Sequence, residues 1–284
     1  MEQPSIILRT VCPDRPGLVS HLTSWISNYG GNIKHSDHHT DQEAGLFLSR
    51  IEWNTNSSAI DKAEIFTELE KISLKINAEF SLNYSDEVPN VAIFVSKQNH
   101  CLIDLLWRVR NGELKMNVPL IISNHPDLQN IAEDFNAQFF YFDTFSLEKA
   151  LVEKKILDLM KEFNIELIVL AKYMQIISGS FLKEFSSIIN IHHSFLPAFK
   201  GSQPYHRAWK RGVKLIGATA HYVTTDLDEG PIIEQCTVNV SHRDEVQDLI
   251  RKGRDIERIA LSRAVRLHLN HQIFIYDSKT AVFD

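Results

Sequence analysis

The fold is decided by a stretch that reads Ile189-Asn190-Ile191-His192-His193-Ser194-Phe195-Leu196-Pro197 and, after an interval, Gly217-Ala218-Thr219-Ala220-His221-Tyr222-Val223-Thr224-Thr225-Asp226-Leu227-Asp228-Glu229-Gly230. Residues 187–191 have the short, apolar, β-branched character of a buried parallel strand. Open α/β sheets bind their ligands at the carboxyl ends of such strands. We therefore expect Asn190 and His192 to lie at a binding site.

The polar side chains of this stretch suit acyl chemistry. A carboxamide at Asn190 can donate a hydrogen bond to an oxyanion, and an imidazole at His192 can carry a proton. The later loop adds carboxylates at Asp226 and Asp228 that can orient the imidazole. Considered alone, Asn190 is more typical of a turn-forming residue, and His192 is more typical of a histidine buried in the core. The combination favours a catalytic site.

At these residues the sequence resembles the folate-dependent formyltransferase superfamily, in which Asn-x-His at a strand end is completed by a loop His-x-Val-Thr-x-x-x-Asp-x-Gly-Pro. The resemblance extends over nearly the whole chain and implies a catalytic triad of Asn190, His192 and Asp228. It also implies substrate contacts from neighbouring residues, namely His193, His221, Val223, Thr224 and Asp226. For His193, packing beside the site is the alternative role.

A second resemblance to the same superfamily lies at residues 170–178, Leu-Ala-Lys-Tyr-Met-Gln-Ile-Ile-Ser. In the superfamily this loop holds the pterin ring by backbone groups between apolar walls. The matching positions here are Met174, Gln175, Ile176 and Ile177. An apolar run of this kind is also typical of ordinary core packing, but its place before Asn190 favours a folate contact.

The resemblance implies hydrolysis of 10-formyltetrahydrofolate to tetrahydrofolate and formate, which would supply formate and balance the one-carbon folate pool. No metal or other cofactor is expected. The alternative is formyl transfer to an amine such as glycinamide ribonucleotide. Residues 96–100, Ser-Lys-Gln-Asn-His, lack the glycines that let backbone N–H groups bind a phosphate, so water is the favoured acceptor, although Lys97 offers a cation. A regulatory protein that keeps the fold as a scaffold is a third possibility, and the intact triad argues against it.

The first 84 residues predict a separate small domain. A strand at 5–10, a helix at 18–29 that ends at Gly30, strands at 32–40 and 46–53, a second helix capped by Asn56 or Ser57, and an alternating strand at 76–84 give the order βαββαβ. With Asp-Arg-Pro-Gly after the first strand, this resembles an ACT domain. The resemblance implies an amino-acid effector near Asp14, Gly17 and Asn32. The alternative role is assembly into a dimer or tetramer.

A polar segment at 85–90 that contains Pro89 reads as a linker, so residues 91–284 form the second, catalytic domain. Short apolar runs at 91–95, 118–123, 139–142 and 167–171 alternate with helical patterns, which favours a doubly wound, mostly parallel sheet. Helical spacing also marks 102–110 and 244–270, and a hairpin is expected around 277–280.

Composition excludes several classes of protein. A chain of 284 residues with a net charge of −6 and no cluster of basic residues with aromatics is not expected to bind nucleic acid. No long apolar run or leader-like N-terminus is present, so a cytoplasmic protein without a membrane partner is expected. The three cysteines are far apart, which predicts neither disulfide nor zinc. His35, His38 and His39 on one exposed strand are interpreted as solvated.

Overall fold

The structure is a computed structural model that describes residues 4–55, 62–144, 147–198 and 204–284. It divides into two units. The first comprises Met1–Glu87 with Asn270–Phe274 and Phe283–Asp284, and the second comprises Val88–Leu269 with Ile275–Val282. The domain boundaries expected at residues 84 and 91 remain a prediction. The return of C-terminal residues to the first unit was not anticipated from the sequence.

The first unit has the predicted order βαββαβ. Its elements are β1 (Ile6–Pro13), α1 (Leu18–Asn28), β2 (Gly31–Asp41), β3 (Leu46–Thr55), α2 (Lys62–Ile76) and β4 (Glu79–Tyr84). The antiparallel strands are arranged β2-β3-β1-β4, which confirms the ferredoxin-like, ACT-type fold. Ile76 is the last residue of α2 and does not begin the last strand as predicted. Its side chain is buried in the core on the same face of the helix as Ile65 and Leu69. The predicted cap at Asn56 or Ser57 lies outside the described residues.

The second unit is built on a seven-stranded sheet in the order β11-β10-β9-β8-β5-β6-β7. Its strands are β5 (Asn90–Val95), β6 (Asn117–Ser123), β7 (Gln138–Tyr141), β8 (Ile165–Leu170), β9 (Ile188–His192), β10 (Leu215–Tyr222) and β11 (Ile232–Asn239). The strands from β5 to β9 run parallel, whereas β10 and β11 are antiparallel to their neighbours. The predicted mostly parallel sheet is confirmed.

Helices separate these strands, as the alternating pattern predicted. They are α3 (His100–Arg110), α4 (Gln129–Asp134), α5 (Lys149–Glu162), α6 (Gly179–Glu184), α7 (Pro204–Arg211) and α8 (Val246–Leu269), and the chain closes with a hairpin of β12 (Ile273–Tyr276) and β13 (Lys279–Val282). The interior strand β5 is buried from Val91 to Val95, which explains its unbroken apolar sequence.

The cysteines and the helix lengths bear on two expectations from the sequence. Cys12, Cys101 and Cys236 are free thiols. Across the parts of the chain that the structure describes, no helix combines the length and the apolar character needed to cross a membrane.

Candidate active site

Strand β9 carries Asn190 and His192, and it lies between β8 and β10. Residues two apart on a strand point to the same face, so the two polar side chains project together. The antiparallel register places His221 of β10 directly opposite Asn190. Directly opposed residues have neighbouring side chains, which brings a second imidazole to the pair.

The loop after β10, residues 223–231, folds back along the sheet and delivers the carboxylate. Asp228 Oδ1 lies 3.2 Å from His192 Nδ1. The loop closes tightly because Gly230 lacks a side chain: a Cβ atom there would stand 1.8 Å from the Tyr222 carbonyl oxygen. Asp228 adopts a φ of 58°, in the left-handed region that aspartate tolerates better than most residues. The expected triad is thus assembled in one place.

The charge on Asp228 is stabilised by its neighbours. The hydrogen bond from His192 lowers the pKa of Asp228, and partial burial opposes this without overcoming it. An ionised Asp228 accepts a hydrogen bond from His192 Nδ1–H, so the other ring nitrogen, Nε2, keeps its lone pair. That nitrogen is buried and has no hydrogen-bond partner among the described residues. Buried polar atoms normally have a partner, so this nitrogen is a candidate for a catalytic role.

His221 holds the carboxamide of Asn190. Its Nδ1–H donates to the Tyr222 carbonyl oxygen over 2.8 Å, and its Nε2 accepts from Asn190 Nδ2 over 3.2 Å. Burial lowers the pKa of His221, which keeps the ring neutral and able to accept. The Nε2 atom of His221 lies 3.8 Å from Asp228 Oδ1, which is too far for a hydrogen bond. The main contact of His221 is therefore with Asn190 and not with the acid loop.

A cavity of about 320 Å³ opens beside these residues. It is lined by every residue predicted for catalysis or substrate contact, and also by Leu170, Lys172, Tyr173, Ile191, Thr225 and Leu227. Met174, Ile176 and Leu227 are each more than 60% exposed, so one wall presents apolar surface to solvent. Such a wall with a polar floor suits a flat heterocycle whose reactive group points inwards.

Sequence reasoning missed a buried polar cluster behind the cavity. Lys172 follows β8, and its Nζ lies 3.1 Å from His193 Nδ1 and 3.4 Å from Glu257 Oε1 on α8. Tyr205 on α7 donates to Glu257 Oε1 over 2.8 Å, and His100 lies 2.6 Å from Oε2. The signal available in the sequence was a lysine at a strand end, but no local pattern connects it to residue 257.

The cluster holds Glu257 as a carboxylate. Burial disfavours its charge, but Lys172, His100 and Tyr205 outweigh that effect and lower the pKa of Glu257 to about 2. His100, Cys101 and Glu257 also have the spacing of a metal site. Both Glu257 oxygens already have protein partners, and burial raises the pKa of the Cys101 thiol, which opposes the thiolate that a metal would need.

We expect Glu257→Gln to lower the free energy of unfolding by about 3 kcal/mol at pH 7, because it leaves Lys172 without its counter-ion. The folded-state pKa of Glu257 lies below its unfolded value, so its contribution is complete above the unfolded pKa and is lost as pH falls towards 2. Urea unfolding of both proteins at several pH values tests this. The difference between them should shrink as pH falls from about 5, and a difference independent of pH would contradict the assignment.

Asp226 and the residues of the expected effector site lie in open surroundings. Asp226 is exposed at the cavity rim, where its backbone carbonyl accepts from Thr224 Oγ1. Asp14, Gly17 and Asn32 are exposed in the first unit, and Gly17 precedes α1 with a φ of 89°. The structure thus places Asp14 and Gly17 at the predicted turn between β1 and α1, whereas Asn32 lies in β2.

The amino-acid sequence is similar to those of known proteins over most of its length. The profile of the formyl transferase family matches residues 89–265, and the chain belongs to that family. Within it, the chain is 52% identical over 283 residues to a formyltetrahydrofolate deformylase of Synechocystis, with complete coverage of both chains. A curated relative from Bacillus subtilis, 44% identical over 96% of this chain and 92% of its own length, carries the same name.

Solved structures of formyltetrahydrofolate deformylases and of glycinamide ribonucleotide transformylases are also similar to this chain. A formyltetrahydrofolate deformylase from Pseudomonas syringae superposes with a TM-score of 0.96 at 37% identity, covering 100% of this chain and 95% of that one. A glycinamide ribonucleotide transformylase from Symbiobacterium toebii superposes with a TM-score of 0.67 at 28% identity, covering 72% of this chain and 98% of that one.

Proposed function

We propose that the chain hydrolyses 10-formyltetrahydrofolate to tetrahydrofolate and formate, with water as the acceptor. The observation that carries this proposal is the contact of His192 Nδ1 with Asp228 in a residue that lines the cavity, which leaves its Nε2 without a partner among the described residues. Relatives that match the whole chain carry the deformylase name. Incubating the purified protein with 10-formyltetrahydrofolate and measuring formate and tetrahydrofolate tests it, and equal yields of both are expected.

The site residues divide the chemistry between them. A water oxygen attacks the formyl carbon while its proton passes to His192 Nε2, and the C=O pair moves onto oxygen. The second N–H of Asn190 stabilises this oxyanion, since the first is engaged with His221. The pair then returns, the C–N10 bond breaks, and His192 gives its proton to N10. Formic acid leaves and ionises in solution. These steps use protein side chains alone, and we propose that no metal takes part.

The acceptor is the point on which the two candidate activities differ. Ser96 donates its hydroxyl to Asn124 Oδ1 over 2.6 Å, accepts from the Met174 amide, and donates its own amide to the Lys172 carbonyl. Its polar groups therefore support the 174–177 loop and are not free to bind a phosphate. This favours water over a phosphorylated amine.

Adding glycinamide ribonucleotide at a millimolar concentration is accordingly expected to leave the rate of formate release unchanged and to give no formylated amine. A transferase must hold its amine about 3 Å from the formyl carbon, and binding of the phosphate supplies much of that positioning. Mass spectrometry of the products and a formate assay measure the outcome. A glycinamide ribonucleotide transformylase run in parallel is the positive control, and stoichiometric formyl transfer by this chain would establish the alternative activity.

For the first unit we propose assembly into a homodimer or homotetramer and binding of an amino acid near Asp14, Gly17 and Asn32. The support is the ACT-type fold, whose sheet edges can pair across a two-fold axis, and the exposed N-terminus of α1, which favours a carboxylate. Light scattering of the full chain measures its mass, and calorimetry with single amino acids measures binding. A monomer at micromolar concentration would contradict the first proposal, and the lack of any heat change would contradict the second.

A further inference from the structure

Lys172 has a backbone conformation that residues with a side chain rarely adopt. Its φ is 65°, in the left-handed region that favours glycine. The side chain is also buried, with 6% exposure, so its ammonium must be paired. Glu257 and His193 are the two partners of this ammonium that the structure shows. The burial of this ammonium between two partners indicates that it has a role at this position.

The neighbour of Lys172 is stacked on the catalytic imidazole. The rings of His192 and His193 lie nearly parallel, at 15°, with their centroids 4.9 Å apart. Each ring meets a charged group at its Nδ1 atom. His192 meets the Asp228 carboxylate at 3.2 Å, and His193 meets the Lys172 ammonium at 3.1 Å. The two charges have opposite signs.

We propose that Asp228 and Lys172 give the two stacked imidazoles opposite hydrogen-bonding polarity, and that His192 and His193 together orient the attacking water. This inference rests on the hydrolytic function proposed above. His193 and Lys172 act as positioning residues for that water, in addition to the triad.

The polarity follows from which atoms can donate. A carboxylate only accepts, so His192 Nδ1 carries the proton and Nε2 is an acceptor. An ammonium only donates, so His193 Nδ1 accepts and its proton lies on Nε2. Burial, the Lys172 ammonium and His192 lower the pKa of His193 to about 3, so the ring stays neutral at physiological pH and keeps this tautomer. The cavity is therefore lined by one imidazole acceptor and one imidazole donor.

A water molecule is complementary to such a pair. It gives a proton to His192 Nε2, accepts a hydrogen bond from His193 Nε2–H on one lone pair, and attacks the formyl carbon with the other. A neutral amine has a single lone pair, which is needed for attack, and cannot accept from His193 at the same time. The donor at His193 thus favours water as the acceptor, and Glu257 stabilises the ammonium that fixes this donor.

The tautomers can be measured in the unliganded full-length protein by two-bond ¹H–¹⁵N correlation spectra of the histidine rings. We expect His193 as the Nε2–H form and His192 as the Nδ1–H form. In Lys172→Met, which keeps the aliphatic length and removes the charge, His193 should become a tautomer mixture while His192 is unchanged. The kcat should fall about 10- to 100-fold with a KM for the folate within about twofold. Lys172→Arg should preserve the Nε2–H form.

A second pair of variants serves if Lys172→Met does not fold. His193→Phe keeps the stacked ring and removes the donor, whereas His193→Gln keeps an amide N–H. We expect kcat to fall about 10- to 100-fold in His193→Phe and to be restored to within about fivefold of the parent in His193→Gln. Equal rates in both variants would overturn the proposal, as would an Nδ1–H form of His193 in the parent protein. If the parent released no formate, the hydrolytic function would fail, and the ring spectra would still decide the tautomers.

Discussion

Asp228→Asn is expected to lower kcat about 1000-fold while KM changes little. The carboxylate accepts a hydrogen bond from His192 Nδ1–H, which keeps the ring proton on Nδ1 and leaves Nε2 to take the proton of water. An asparagine can present its N–H₂ group to Nδ1, which moves the ring proton to Nε2 and removes the base. It also removes the anion that stabilises the imidazolium formed during the reaction. Steady-state rates of formate release measure the effect.

The matched control is Glu229→Gln, which makes the same change of charge at the neighbouring exposed position of the same loop. It should retain kcat within about twofold, since surface charges act weakly at a distance in salt solution. Thermal unfolding should show that both variants are folded. Near-parental turnover of Asp228→Asn would mean that another group orients His192.

Asn190→Ala is expected to lower kcat about 100- to 1000-fold, again with a small change in KM. The carboxamide is held by His221, so one of its N–H bonds is fixed before the substrate binds and the other can meet the oxyanion. Loss of one such donor removes stabilisation that develops only in the transition state. Rates of single turnovers separate this effect from a change in product release.

Asn190→Asp provides the matched comparison, because it keeps the shape of the side chain and replaces the donor with an acceptor beside the developing negative charge. Its kcat should be at least as low as that of Asn190→Ala. If alanine at this position retained turnover within about threefold of the parent, oxyanion stabilisation would have to come from elsewhere in the cavity.

The two variants also differ in what they should do to the unliganded site. Asn190→Ala removes the donor to His221 Nε2, whereas the bond from His221 Nδ1 to the Tyr222 carbonyl is independent of Asn190 and should persist. The ring should therefore keep its Nδ1–H tautomer. Histidine ring spectra of this variant would separate a local loss of the oxyanion donor from a wider rearrangement of the site.

The sequence by itself predicted most of the local structure, and its resemblance to the formyltransferase superfamily supplied the candidate triad. Apolar runs and helical spacing predicted the parallel strands β5, β6, β7 and β8 to within a few residues, since burial on both faces leaves a continuous apolar pattern. The Asn-x-His spacing placed two polar side chains on one face of β9, which follows from the two-residue period of a strand. Both inferences use interactions between residues close together in the chain.

The tertiary structure alone decided which distant residues meet. The antiparallel direction of β10 puts His221 opposite Asn190, and no periodicity distinguishes that direction from the parallel one. Lys172 and Glu257 are 85 positions apart, and they pair because the packing of the second unit brings α8 close to the residues that follow β8. Sequence patterns report the faces that a segment buries but not the partner that covers them, so the contact between Lys172 and His193 could be read only from the assembled site.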